Sequence, residues 1–331
     1  MSGKQKKLKF IVVVIVCISL GIGFVIKNIQ EFRLLKSKTE SLNGNHQEIY
    51  KYEKAKVTLK VKLENEYNKK ELVSLYSRKS IEEILTKLIP SKQNILPILG
   101  TSEKLSSKQK TNMSQWRDDI VKFAQKNRKD VFISGSNKKK IALTFDDGPD
   151  NIITPMIIGI LKDNNIKGNF FFLGEKIERY PEVVKQAYEN GNIIASHGYY
   201  HNELTKYDND KINEEMQRTT TLIKEIIGKK PLFIRPAYGD INDRVLSVLN
   251  KNQVKTILWS LDALDWSLRE RDAIIKNVID NVRNGDIILL HSNADKIETA
   301  KALETIILEL KSKNYEIVDL ETLLKIKAYE K

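Results

Sequence analysis

The stretch "TFDDGPD", Thr144 to Asp150, sets two carboxylates side by side just after an apolar run. "IALTF" reads as a buried strand, and Gly148-Pro149 ends it in a turn. Asp146 and Asp147 therefore stand at the carboxyl end of a strand. Two like charges so close oppose one another's ionisation unless something positive lies nearby. The histidines suggest what that is. "SHGYYHNEL" places His197 and His201 four apart, and in a helical turn that spacing would set both imidazoles on one face. Two His and one carboxylate form a tripod that suits zinc and leaves a coordination position open. One Asp would bind the ion, and the other would stay ionised beside it as a base.

Three more segments end in reactive groups. "LFIRPAYGD" carries Arg235 and then Tyr238; "LWSLDALDW" carries Asp262, Asp265 and Trp266; "DIILLHSN" carries Leu289 and His291. Each has a plain explanation when taken singly: a salt bridge, core packing, a capped loop histidine. Turn chemistry would likewise explain "DDGP", and a surface pair would explain H-x-x-x-H. Five separate strand ends terminating in ionisable or aromatic groups fit a site better than packing.

The elements that must hold these groups alternate. Candidate strands fall at 141–145, 169–173, 192–195, 231–235, 254–259, 286–290 and 315–318. Helical patterns such as "TPMIIGILKDN", "YPEVVKQAYEN" and "DKINEEMQRTTTLIKEIIG" lie between them. The last begins near a capping Asp and stops at Gly228. Such alternation predicts a parallel sheet, open or closed into a barrel, with its site at the carboxyl ends of the strands.

In this order the five segments resemble the polysaccharide deacetylase family with the NodB homology domain (carbohydrate esterase family 4), across residues 138–331. The resemblance implies an α/β fold, a distorted (β/α) barrel, and metal-dependent removal of N-acetyl groups from polymers of N-acetylglucosamine. It implies Asp147, His197 and His201 as ligands of one divalent ion, zinc foremost, with Co2+, Ni2+ or Mn2+ as alternatives. Asp146 would be the general base, oriented by Arg235. His291 would be the general acid, supported by Asp265. The Tyr238 backbone N–H would help bind the oxyanion, and Trp266 and Leu289 would line the acetyl pocket. Three positions depart from the family pattern. Gly198 stands where Ser or Thr is usual, Ala237 where Pro is usual, and Ser292 where Asp is frequent.

The chain has 331 residues, a net charge of +13 and one Cys, so it can form no internal disulfide and no Cys-based zinc framework. Residues 138–331 hold 29 Lys and Arg against 30 Asp and Glu, a net −1; the remaining 27 and 13 give residues 1–137 a net +14. Leu8–Ile26 is almost unbroken apolar sequence, with Lys4, Lys6, Lys7 and Lys9 at its start. At about 1.5 Å per residue it nearly matches a hydrocarbon core of about 30 Å. We expect residues 1–27 to be a short cytoplasmic tail and an uncleaved transmembrane anchor, with the rest of the chain outside the cell. A cleaved signal peptide is the competing reading.

Residues 28–137 read as a basic stalk or mixed α/β accessory region. It would hold a strand over Ala55–Leu63, a short helix opened by Ser80 and Glu83, and an amphipathic helix from Ser114 onward. His46 in that region is isolated. The excess charge sits in this exported segment, which argues against nucleic acid as the partner and for anionic polymers of the wall. The expected activity is N-deacetylation of peptidoglycan at the cell surface. Another acetylated polymer (poly-N-acetylglucosamine, chitin oligomers, xylan) is the alternative substrate, and an inactive wall-binding protein is the alternative of another class.

Overall fold

The computed structural model describes residues 95–330. The expected anchor at 8–26, the strand at 55–63 and the helix after Ser80 lie outside the described residues. Among the described residues no helix is long and apolar enough to cross a membrane.

Nine strands form one sheet: β1 Val131–Phe132, β2 Lys140–Asp146, β3 Asn169–Phe172, β4 Ile193–Ser196, β5 Phe233–Ile234, β6 Lys255–Ile257, β7 Leu261–Asp262, β8 Ile287–His291 and β9 Glu316–Ile317. Their order is β1-β6-β5-β4-β3-β2-β8-β7, with β9 paired to the start of β2. The paired strands run parallel. The seven strands anticipated from sequence are present, and the two-residue β1 and β7 are additional.

The connection from β6 to β7 shows that the sheet curls. In a flat sheet of this order the two would lie six spacings apart, about 29 Å at about 4.8 Å each. The chain between Ile257 and Leu261 can span at most about 14 Å. The two sides must therefore approach each other, as in a barrel. Within this step Leu258 N–H bonds Phe132 O at one side, and Ser260 N–H bonds Ile287 O at the other.

Helices cover the outer face, and their ends follow local rules. Asp208 caps the helix Asn209–Ile227 by accepting from Lys211 N–H, and Gly228 closes it in the left-handed region. Pro181 opens Pro181–Glu189, where its missing N–H costs nothing. The period-two alternation of the strands sorts their side chains into two layers. Ile141, Leu143, Phe145, Phe170, Phe172, Ile288 and Leu290 pack outward with helix residues such as Ile157, Val184 and Ile307. Ala142, Phe171, Ala195, Phe233, Ile257, Ile287 and Leu289 form a separate inner cluster.

The described residues, 95–137 included, all belong to one compact unit. Leu99 bridges Leu261 along the edge of β7, and β1 pairs with β6. The helix Ser107–Lys126 stacks Trp116 on Trp259, 5.5 Å between ring centroids, over the β6–β7 step. Residues 95–137 thus cover the seam of the barrel. That helix starts seven residues before the expected Ser114, because Ser106 and Gln109 make a capping box. Gly239 meets the same tryptophans: a Cβ there would lie 2.7 Å from Trp116 and 3.2 Å from Trp259.

Candidate functional site

The inner layer becomes polar at its last rung. Ala142 and Thr144 lead to Asp146, Ala195 to His197, Phe233 to Arg235, and Leu289 to His291, each two residues on and so on the same face. The register sets Asp146 directly beside His291, 145 residues away in sequence. Four strands thus deliver an acid, two imidazoles and a guanidinium to one end of the barrel.

Arg235 is fully buried. Its Nη1 donates to Asp146 Oδ1 at 2.6 Å and to Thr144 Oγ1 at 3.0 Å. Nε and Nη2 donate to the carbonyls of Ile257 and Leu258. Its plane lies over the Phe171 ring, 4.1 Å from the centroid. A buried cation held by a carboxylate and three further acceptors cannot swing, so it fixes Asp146 Oδ1 and leaves Oδ2 for chemistry.

Asp147 follows the strand end, where continued extension would turn it away from Asp146. Its φ of 67° reverses that course, and Lys176 Nζ holds its carbonyl at 2.7 Å. The carboxylate Oδ1 then lies 3.3 Å from His197 Nε2 and 3.2 Å from His201 Nε2. His197 Nδ1 is 2.7 Å from the Arg235 carbonyl, which can only accept, so Nδ1 carries the proton and Nε2 presents a lone pair. Asp147 Oδ1 is buried and has no hydrogen-bond donor. Lone pairs facing one another across about 3 Å need a cation between them. The ligand atoms of Asp147, His197 and His201 all lie within 4.8 Å of one another, so this set fits a divalent ion.

The histidines do not meet by the helical turn expected from their spacing. Residues 197–201 form an irregular loop in which Gly198 (φ 82°) and His201 (φ 59°) are left-handed. The imidazole centroids come to 5.0 Å. Gly198, where the family pattern favours Ser or Thr, occupies a conformation that suits glycine.

His291 Nδ1 pairs with Asp265 Oδ1 at 2.7 Å. Asp265 Oδ2 accepts from His291 N–H at 2.9 Å and from Thr299 Oγ1 at 2.7 Å. Burial works against the imidazole's charge, but the Asp265 carboxylate, with Asp147 and Asp146 beyond it, pushes its pKa up to about 9. A cation bound by Asp147 would draw that value down. His291 should therefore hold its proton more tightly than a free imidazole and lose it at or below about pH 9. Activity limited by this proton should fall on that alkaline limb, and Asp265→Asn should move the limb to lower pH. The profile of kcat/KM against pH checks this; an unmoved limb breaks the pairing.

The remaining expected residues border these groups. Tyr238 (φ 59°) follows β5; the residue is 61% exposed, and its ring centroid lies 4.5 Å from that of His201. Trp266 is partly exposed in the short helix Asp265–Leu268, and Leu289 is buried one rung below His291. Asp262, noted at the same strand end, accepts from Leu264 N–H and shapes the loop that presents Asp265. Ser292 N–H and Oγ both bond the Asp146 carbonyl, tying the loop after β8 to β2. Sequence reasoning missed Thr144, Thr299 and Lys176. Of these only Thr144 left a signal, as a polar residue in an otherwise apolar strand.

The profile of the polysaccharide deacetylase family matches residues 134–257. A peptidoglycan-N-acetylglucosamine deacetylase of Bacillus cereus is 36% identical over 197 residues, 59% of this chain and 72% of that protein. A crystal structure of a peptidoglycan N-acetylglucosamine deacetylase in complex with 4-naphthalen-1-yl-N-oxidanyl-benzamide superposes with a TM-score of 0.60 at 35% identity. It covers 61% of this chain and 97% of that one. A family 4 pseudoenzyme of Bacillus anthracis also superposes, with a TM-score of 0.56 at 27% identity over 58% of this chain and 68% of that one. The chain belongs to the polysaccharide deacetylase family.

Proposed function

We propose that this chain is a metal-dependent deacetylase that removes the N-acetyl group from N-acetylglucosamine of peptidoglycan, anchored at the cell surface through residues 8–26. The observation that carries the reading is the cluster in which Asp147, His197 and His201 could hold an ion, next in the chain or sheet to Asp146 and its register partner His291, two groups able to move protons. A divalent ion, zinc by this donor set with cobalt, nickel or manganese as alternatives, supplies Lewis-acid polarisation of the acetyl carbonyl and acidifies water.

The chain's own residues supply the proton movements. Asp146, held at Oδ1 by Arg235, takes a proton from the attacking water at Oδ2. The water oxygen adds to the acetyl carbon, and the C–N bond then breaks. His291, with Nδ1 on Asp265, gives its Nε2 proton to the departing amine, which leaves poorly without it. Acetate and a free glucosamine amine result. The Tyr238 backbone N–H faces the developing oxyanion, and Trp266 with Leu289 receives the acetyl methyl.

The glucosamine substrate is favoured by the Bacillus cereus relative and by the solved deacetylase. The pseudoenzyme neighbour raises an inactive reading. That reading is opposed by the presence of every reactive residue that the resemblance implies and by the grouping of Asp147, His197 and His201 within 4.8 Å. The test incubates the purified protein and divalent ion with peptidoglycan and with defined oligomers, then locates free amines by mass spectrometry. Amines on glucosamine support the proposal. Amines only on another sugar or polymer would move the substrate, and none would sink the activity. Retention on anionic wall polymers that weakens with salt would support the role given to the basic stalk.

A further inference from the structure

The loop between His197 and His201 is held from behind by one helix, and the contact is made by a buried acid. Glu215, on Asn209–Ile227, is only 3% exposed. Among the described residues no Lys or Arg forms an ion pair with it. Its Oε2 instead accepts from the backbone N–H of Tyr199 at 3.0 Å and of Tyr200 at 3.3 Å. These are two of the three residues between the histidines. A buried carboxyl is costly to keep unless its bonds are worth having. Here both bonds go to the backbone that sets the separation of the two imidazoles.

The surroundings point the same way. Gly198 is left-handed and has no side chain to brace the turn. The Tyr199 ring packs against Gly174, where a Cβ would lie 2.3 Å from it. Its hydroxyl donates to Glu178 at 2.8 Å, and Arg218, one turn along from Glu215, stacks on it at 3.6 Å. The side chain two residues past the first histidine is thereby clamped, while Glu215 clamps the backbone.

We infer that Glu215 is the positioning residue of the His197/His201 pair: it holds the loop in the shape that aims both Nε2 atoms at Asp147. This rests on the metal reading proposed above. Loss of a group that orients ligands costs about 10–100-fold in metal affinity. Glu215→Ala should therefore bind zinc about 10–100-fold more weakly in competition with a chromophoric chelator. Glu215→Gln, whose amide oxygen can still accept both N–H groups, should keep most of the affinity. Leu310→Ala, in the outer layer far along the chain, should lower the melting temperature and leave zinc affinity unmoved. If Glu215→Ala does not fold, Glu215→Asp, one methylene shorter, replaces it with the same expected loss. Wild-type affinity in the folded Ala or Asp variant, or equal loss in Leu310→Ala at matched stability, overturns the inference. A wild-type protein that binds no divalent ion would overturn the metal reading itself.

Discussion

Alanine at His197 or at His201 is expected to abolish deacetylation and to remove the metal. Each imidazole places Nε2 within 3.3 Å of the same Asp147 oxygen, so neither can substitute for the other. Taking away a ligand should exceed the ~10–100-fold that loss of a supporting hydrogen bond costs. The two variants should differ in one respect. His197 also bonds the Arg235 carbonyl and is buried, so its loss opens a cavity and frees a carbonyl. His201 is 26% exposed at its side chain, and its loss should cost little stability. Elemental analysis of the purified variants, with turnover on acetylated oligomers, decides the matter. Full activity with stoichiometric metal in either would refute the assignment.

The adjacent carboxylates should separate cleanly. Asp146→Asn should keep the metal and lose about 10²–10⁴-fold in kcat, the usual worth of general base catalysis. It should also destabilise the fold, because the fully buried Arg235 would face a neutral amide; breaking such a pair costs up to about 3–5 kcal/mol. Asp147→Asn should lose metal and activity together, while the metal-free proteins should differ little in stability, since its Oδ1 has no hydrogen bond to lose. Urea unfolding alongside metal content reads out both. An exchange of the two phenotypes would mean that the roles are reversed.

What the sequence disclosed followed physical range. Strands β3 and β8 announced themselves through four consecutive apolar residues, Phe170–Leu173 and Ile287–Leu290, and β2 and β4 through shorter apolar runs that end in "DDGP" and "SHG". The strands β1 and β7 are two residues long; β5 and β9 are as short, but each lies inside a longer segment read as a strand, 231–235 and 315–318. Asp146, Asp147, His197 and His201 were legible because their spacing is local. The shape of the loop between the histidines was not, because left-handed backbone at His201 leaves no compositional mark. Glu215 was invisible for a related reason: its partners are backbone N–H groups, which every residue but proline carries. The packing of residues 95–137 over the sheet left no local mark, because the contact of Trp116 with Trp259 joins positions 143 residues apart.

The burial of Arg235 has a consequence for how such a site could decay over generations. Its guanidinium ties β2 to the carbonyls at the end of β6 across the inside of the barrel, so drift at this position is punished whether or not the enzyme is needed. His201 enjoys no such protection. A lineage released from selection for turnover should forfeit His201 early and Arg235 late, passing through folded, metal-free proteins that still carry the arginine. A library screened for folding alone should show that order, with substitutions frequent at 201 and rare at 235; the opposite order would mean that the arginine serves catalysis and not the scaffold.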